Sequence, residues 1–321
     1  MTVLVFLEKE GQSIRKTSFE AISYAVEAVK EGNSDVVGVV FGEMETTELH
    51  QAFKYGCDRI IHINNPEFNQ AMINVYAHAL AKLMIGENAG LFITAQSALA
   101  DPVAAKVSIQ INASIATNVC ELPQSGEAFI VKRSIFSGKA FENVVLTKEK
   151  KVLSIKKNSA GLIENPKDPQ IIVSDQNIEE GDVDAVITDS EKSTGNVLLP
   201  EADIVVSGGR GLKGPENWGM IEDLANELGA AKGCSKPVSD VGWRPHHEHV
   251  GQTGIKVSPN LYIAIGISGA IQHIAGVSSS KVIVVINNDP EAPFFKNADY
   301  GIVGDAFDVV PKLIEVIRNN K

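Results

Sequence analysis

The sequence predicts an α/β protein of two doubly wound domains, and three observations carry that expectation. Its 321 residues exceed one average core and suit two domains of ordinary size. Short β-rich runs alternate with helical patterns in both halves of the chain, the signature of βαβ units and parallel sheets. In the second half the glycines gather where predicted strands end, the edge at which ligands bind in such sheets.

In the first half, strands are expected at residues 3–7, 36–41, 59–63 and 90–94, with helices at 18–30, 46–55, 68–85 and 98–111. In the first helix Phe19, Ile22, Ala25, Val26 and Val29 recur at helical spacing and Gly32 follows as a stop signal. Residues 128–135, 141–146 and 152–155 read as a meander of β-ribbons. From residue 156 to 195 the pattern weakens into Lys, Asn, Pro, Asp and Glu, a composition typical of connections. The expected division is therefore a first domain over 1–195, with its linker from about 156, and a second over 196–321. There, strands are expected at 203–207, 261–265, 281–286 and 301–303, with helices at 215–228, 269–275 and from the last strand to residue 319.

Composition excludes several classes. A content of 44% hydrophobic and 21% charged residues is that of folded proteins rather than disordered ones. A net charge of −11 opposes nucleic-acid binding, which needs clustered Lys and Arg. Cys57, Cys120 and Cys234 are far apart and form no C-x-x-C pair, so neither a disulfide framework nor a metal or iron–sulfur site is expected. The start of the chain lacks a secretory pattern, so the chain is expected to be cytoplasmic, or already processed.

Several segments can carry chemistry. At residues 205–214, V-V-S-G-G-R-G-L-K-G leaves a buried strand through a glycine-rich turn, and Arg210 offers a fork-shaped donor. Such a turn is either a phosphate cradle or a tight structural turn. Residues 234–243, C-S-K-P-V-S-D-V-G-W, are followed by V-G-Q-T-G at 250–254, where flanking glycines suit close approach to a flat polar ring or simply an exposed loop. At 261–273, L-Y-I-A-I-G-I-S-G-A-I-Q-H runs from strand to helix, with Ser268 as an anion donor or an N-cap and His273 as a further donor or a surface imidazole. Asn287 and Asp305 end strands, where each can contact a ribose or serve only its turn. The H-H-E-H run at 246–249 lacks the spacing of a helical zinc pair and reads as an exposed polar loop.

Taken together, S-G-G-R-G, V-G-Q-T-G, L-Y-I-A-I-G-I-S-G-A-I-Q-H, N-N-D-P-E-A-P and A-D-Y-G-I-V-G-D stand in the order and spacing of the electron-transfer flavoprotein α subunit, which the chain resembles. The resemblance is dense over residues 202–316 and looser before them. It implies a C-terminal, flavodoxin-like nucleotide-binding sheet that holds one FAD, and an N-terminal domain packed on a β subunit carrying AMP. Arg210 would contact the cofactor. Ser235, Lys236, Val250, Gly251, Gln252 and Thr253 would line the flavin, with Thr253 near its N5. Ser268, Gly269, Ala270, Ile271, Gln272 and His273 would run past the flavin and pyrophosphate, with His273 near the pyrimidine oxygen. Asn287, Asp305 and Ala306 would hold the adenosine. Lys236, Thr253 and His273 would tune the flavin, although the family usually has Arg where Lys236 stands, and a planar fork is thereby replaced by a point charge. Acyl-CoA dehydrogenases of fatty acid β-oxidation would donate electrons and a membrane quinone oxidoreductase would accept them. The chain would turn over no substrate of its own. Three further readings stand beside this one: an NADH-linked bifurcating variant, an NAD- or nucleotide-binding oxidoreductase, and a non-redox adenine-nucleotide sensor.

Overall fold

A computed structural model describes residues 1–321 except 31, 33, 125, 127, 139, 175, 179–182, 184–186, 188–197, 201 and 321. The boundary expected at residue 195 lies outside the described residues. The chain divides into two compact units, Met1–Ile135 with Ala140–Ser190, and Phe136–Lys139 with Glu191–Lys321.

The first unit is built on a nine-stranded sheet. Its elements are β1 Thr2–Phe6, a small ribbon of β2 Lys9–Glu10 and β3 Ser13–Ile14, α1 Lys16–Ala28, β4 Asp35–Phe41, α2 Thr46–Phe53, β5 Arg59–Ile63, α3 Ile73–Gly86, β6 Ala89–Ala95, α4 Ala100–Gln110, β7 Ser114–Val119, β8 Ile130–Ile135, β9 Ala140–Val145, β10 Lys151–Ile155 and β11 Ile171–Ser174. The order is β11-β5-β4-β1-β6-β10-β7-β8-β9, parallel as far as β7, with β8 and β9 antiparallel at the end. Both faces of the sheet are covered, so the central strands are continuous apolar runs rather than alternating ones. Val3 and Val5 of β1 pack with α1 and α2 on one face, and Leu4 and Phe6 pack with α3 and α4 on the other.

Three expectations for this half are corrected. The helix expected over 68–85 is broken: Asn65 caps a short 3-10 turn at Pro66–Gln70, Ala71 turns left-handed at φ 50, and α3 starts afterwards. Residues 152–155 do not belong to a meander, because β10 inserts in parallel between β6 and β7, as its wholly buried Val152–Ile155 face requires. Nor does a linker begin at 156. The backbone N–H groups of Asn165 and Lys167 donate to the carbonyls of Lys54 and Phe53, and β11 extends the sheet beside β5.

A buried carboxylate holds this stretch in place. Glu20 of α1, 6% exposed, accepts N–H groups from Asn158, Ala160 and Gly161, each at 3.1 Å. Ser23, one turn on, exchanges hydrogen bonds with both the N–H and the carbonyl of Ile163. Glu20→Ala removes a charged acceptor from three donors and is expected to cost about 2 kcal/mol, read as a lower urea midpoint. Glu20→Gln, which still accepts, should fall between the two.

The second unit is a five-stranded parallel sheet of β12 Ile204–Gly208, β13 Ala231–Cys234, β14 Leu261–Ile265, β15 Val282–Asn287 and β16 Tyr300–Val303, in the order β13-β12-β14-β15-β16. Helices α5 Gly219–Leu228, α6 Lys236–Asp240 and α8 Ala306–Asn319 cover one face, and α7 Ile271–Val277 lies with Phe294 on the other. Two helices begin later than expected. The one expected from 215 opens as a 3-10 turn at Pro215–Asn217, and α7 starts at Ile271 because Gly269 takes φ 84. Among the described residues no helix is long and apolar enough to cross a membrane.

Candidate functional site

Counted within the second unit, the strand order is 2-1-3-4-5, so its direction reverses between β12 and β14. The chain leaves these neighbouring strands on opposite faces, and the crevice at their carboxyl ends is the usual ligand site of such a sheet. All five chemistry-bearing segments reach this edge and are tied together along it.

Glycine backbone forms the floor. Gly209 donates its N–H to the Ile265 carbonyl at 2.9 Å and Gly211 donates to Gly266 at 3.0 Å. A Cβ on Gly209 would lie 2.1 Å from the Gly266 oxygen, so only glycine lets the two turns meet. Arg210, between those glycines, is lifted into solvent, and among the described residues its guanidinium has no ion-pair partner. Lys213 ends the turn left-handed at φ 69; its ammonium lies 3.6 Å from Asp305 and 4.6 Å from the centre of the Phe307 ring.

On one side of this floor, β13 delivers Ser235, whose N–H donates to the Gly208 carbonyl at 3.0 Å, and Lys236, exposed at the start of α6. Val250 donates to Cys234, and Gln252 donates to the Gln272 carbonyl at 2.7 Å, which lays the V-G-Q-T loop against α7. The side chains of Gln252 and Thr253 face solvent. Beneath the loop lies His249, 2% exposed, with Nδ1 unpartnered. Burial, then the charge of His246, lowers its pKa. The H-H-E-H run is therefore only half an exposed loop. Glu248 and His249 are buried, because Glu248 takes two hydrogen bonds from Arg244, at 2.7 and 2.6 Å, and His249 pairs with the end of β13.

On the other side, Ser268, Ala270, Ile271 and Gln272 are exposed and Gly269 is buried. Ala270, not Ser268, is the N-cap of α7, and Ser268 is fixed instead through its carbonyl, which accepts from Phe294 at 3.1 Å. His273 is no surface imidazole. It is 6% exposed, with Nε2 2.8 Å from the Tyr262 hydroxyl and, among the described residues, no partner for Nδ1. Burial, with His249 second, lowers its pKa to about 4, so it is neutral near pH 7.

At the far end, Asn287 donates to the Ile267 carbonyl at 3.0 Å and accepts from the Asp289 N–H, bracing the β14 turn. Asp305 caps α8 through the Phe307 N–H at 3.0 Å, and Ala306 is buried in its first turn. Sequence reasoning missed Tyr262, His249 and Lys213. A tyrosine inside the apolar run of β14 must find a hydrogen-bond partner for its hydroxyl, and that requirement was the available signal.

The arrangement suits an elongated, partly anionic and partly planar ligand. It offers backbone without side chains, exposed cations at Arg210, Lys213 and Lys236, and a buried imidazole nitrogen still lacking a partner. Two family models match most of the chain: the electron transfer flavoprotein domain matches residues 3–191, and the electron transfer flavoprotein FAD-binding domain matches 198–278. The chain belongs to the electron transfer flavoprotein family, as an α subunit. It is 36% identical to the electron transfer flavoprotein subunit alpha of Bacillus subtilis (strain 168), over 98% of this chain and 97% of that one. It is 37% identical to the corresponding protein of Syntrophomonas wolfei, over 98% of each chain. The mitochondrial subunit alpha of Dictyostelium discoideum is 32% identical over 100% of this chain and 92% of its own. The FAD-binding match contains every site residue from Arg210 to His273 and stops short of Asn287, Asp305 and Ala306.

Proposed function

We propose that this chain is the FAD-carrying half of a heterodimer with an electron-transfer flavoprotein β subunit, the partner holding AMP, and that it relays electrons without turning over a substrate. Acyl-CoA dehydrogenases of fatty acid β-oxidation supply the electrons and a membrane quinone oxidoreductase receives them. The observation that carries this reading is the crevice at the carboxyl ends of β12 and β14, which lies within residues matching a FAD-binding domain and pairs a glycine floor with a buried, unpartnered imidazole nitrogen. FAD, when bound, supplies one- and two-electron chemistry that amino-acid side chains lack.

The chain supplies position and field. Arg210 takes the phosphates as a fork-shaped donor. Ser235 and the Val250, Gly251, Gln252 and Thr253 loop line the flavin, and Ser268–His273 follow it toward the pyrophosphate. Asn287 and Asp305 reach the adenosine with the capacity left over from their structural bonds, beside Ala306. Because His273 is neutral, Lys236 supplies positive charge for the negative charge added on reduction, and His273 contributes an N–H dipole instead.

The test is co-production with the β subunit, followed by a visible spectrum and stepwise reduction. A yellow complex with one FAD per heterodimer is expected. Lys236→Gln should bind FAD and shift the first reduction potential negative by on the order of 60 mV, tenfold for a one-electron couple. A colourless complex that takes up no FAD would sink the reading.

A further inference from the structure

His273 sits at this site with unequal surroundings at its two ring nitrogens. The Tyr262 hydroxyl, fully buried on β14, lies 2.8 Å from Nε2. Among the described residues Nδ1 has no hydrogen bond, and the Val250 backbone close by favours a proton on the ring. Burial raises the pKa of the phenol, which therefore keeps its hydrogen. The Ser207 hydroxyl lies beside the phenol without forming a hydrogen bond of its own. A buried O–H donates where an acceptor is in reach, and Nε2 can be that acceptor only while the ring proton sits on Nδ1. A neutral imidazole that accepts at Nε2 carries its proton on Nδ1.

We infer that Tyr262 is a positioning residue for the flavin site: by donating to Nε2 it fixes His273 as the Nδ1–H tautomer and reserves that N–H for an acceptor outside this chain. A tyrosine and histidine placed only for packing would satisfy one another, whereas here half of the imidazole is left over in a buried place. The residue that carries the leftover nitrogen stands at the site itself. The Cα of His273 is 3.7 Å from where a Cβ on Gly251 would stand, in the V-G-Q-T loop. This role rests on the FAD reading, in which the acceptor is a carbonyl oxygen of the flavin pyrimidine ring.

The test uses the α chain labelled with nitrogen-15 histidine, in complex with its β subunit, as wild type and as Tyr262→Phe. That substitution keeps the ring and its packing on Phe294, whose centroid is 6.5 Å away. Two-bond proton–nitrogen spectra of the FAD-depleted complexes report the tautomer without any flavin. The wild type is expected to show His273 protonated at Nδ1, and the variant a mixture with the Nε2 form. On adding FAD, the variant should bind about tenfold more weakly, and the pyrimidine carbonyl stretch of its bound flavin should move to higher frequency. A wild-type His273 protonated at Nε2 overturns the inference without recourse to any variant. An unaltered tautomer and carbonyl band in Tyr262→Phe do so as well. If the wild-type tautomer is as expected but the complex takes up no FAD, the FAD reading fails and takes this role with it, an outcome distinct from failure of the tautomer assignment.

Discussion

Gly209→Ala is expected to lower the stability of the second unit by about 3 kcal/mol, at the upper end of ordinary overpacking costs, and to strip the complex of flavin. Gly209 has φ −116 and ψ −177, an extended conformation open to any residue, so backbone strain is not the cause. Its Cβ would stand 2.1 Å from the oxygen and 2.6 Å from the carbonyl carbon of Gly266. Those atoms cannot yield as a side chain would. Gly266 takes φ 62 and its own N–H is bound to Ile286 at 2.9 Å, while Gly209 and Gly211 are bound to Ile265 and Gly266. Relief must come from parting β12 from β14 at the crevice, which displaces Arg210 and the Ser268 turn together. A fall in melting temperature of roughly 10 °C should accompany flavin loss. Gly219→Ala is the control: nothing lies within 4 Å of its Cβ, and alanine should be neutral or slightly stabilising there. Equal melting temperatures for Gly209→Ala and wild type would show that the two turns are not locked.

The contrast between these two glycines also marks what the sequence could disclose. The runs V-L-V-F, V-V-G-V-V-F and L-Y-I-A-I are apolar without alternation, and they became the central parallel strands β1, β4 and β14. The glycine-rich turns after β12 and β14 were legible as turns at the carboxyl ends of strands, where a ligand cradle and a tight structural turn read alike. Strands β7, β11 and β13 were not legible. β7 reads S-I-A-T-N-V and is only partly buried, β13 reads A-K-G-C, and β11 has just three apolar residues, I-I-V, inside a polar stretch, with its middle exposed at the sheet edge. The carboxylate of Glu20 was hidden for a different reason. Its partners are backbone N–H groups some 140 residues away, which no local pattern records. Within the site, residue types at the crevice were readable, but burial was not. His249 and His273 looked like surface imidazoles because each follows a polar residue, Glu248 or Gln272, in a glycine-rich stretch, and only the packing of Phe294 and the V-G-Q-T loop puts them inside.

That burial dictates how stability responds to acid. His273 has its pKa lowered to about 4, by burial first, then His249, with the Val250 carbonyl opposing. Tyr262 and Phe294 also pack against it, and neither carries charge near neutral pH. His249 is lowered in the same direction by burial and by His246 and Lys236, with Asp240 opposing. Unfolded, each titrates near 6.5. Between pH 6.5 and about 4 the unfolded chain therefore binds more protons than the folded one, and stability falls as pH falls. It is fully present above 6.5 and declines through the folded pKa of about 4. For His273 alone the loss across that window is on the order of 3 kcal/mol. Urea titrations of the FAD-depleted complex at pH 7.5 and 4.5 should show the drop. His273→Asn, which cannot titrate, isolates the contribution from that of Asp101, whose pKa burial raises and which acts in the opposite sense. The difference in stability between the two pH values should shrink by most of His273's share in the variant. An unchanged difference would place the imidazole's proton in solvent contact and contradict its burial between β14, α7 and the loop above them.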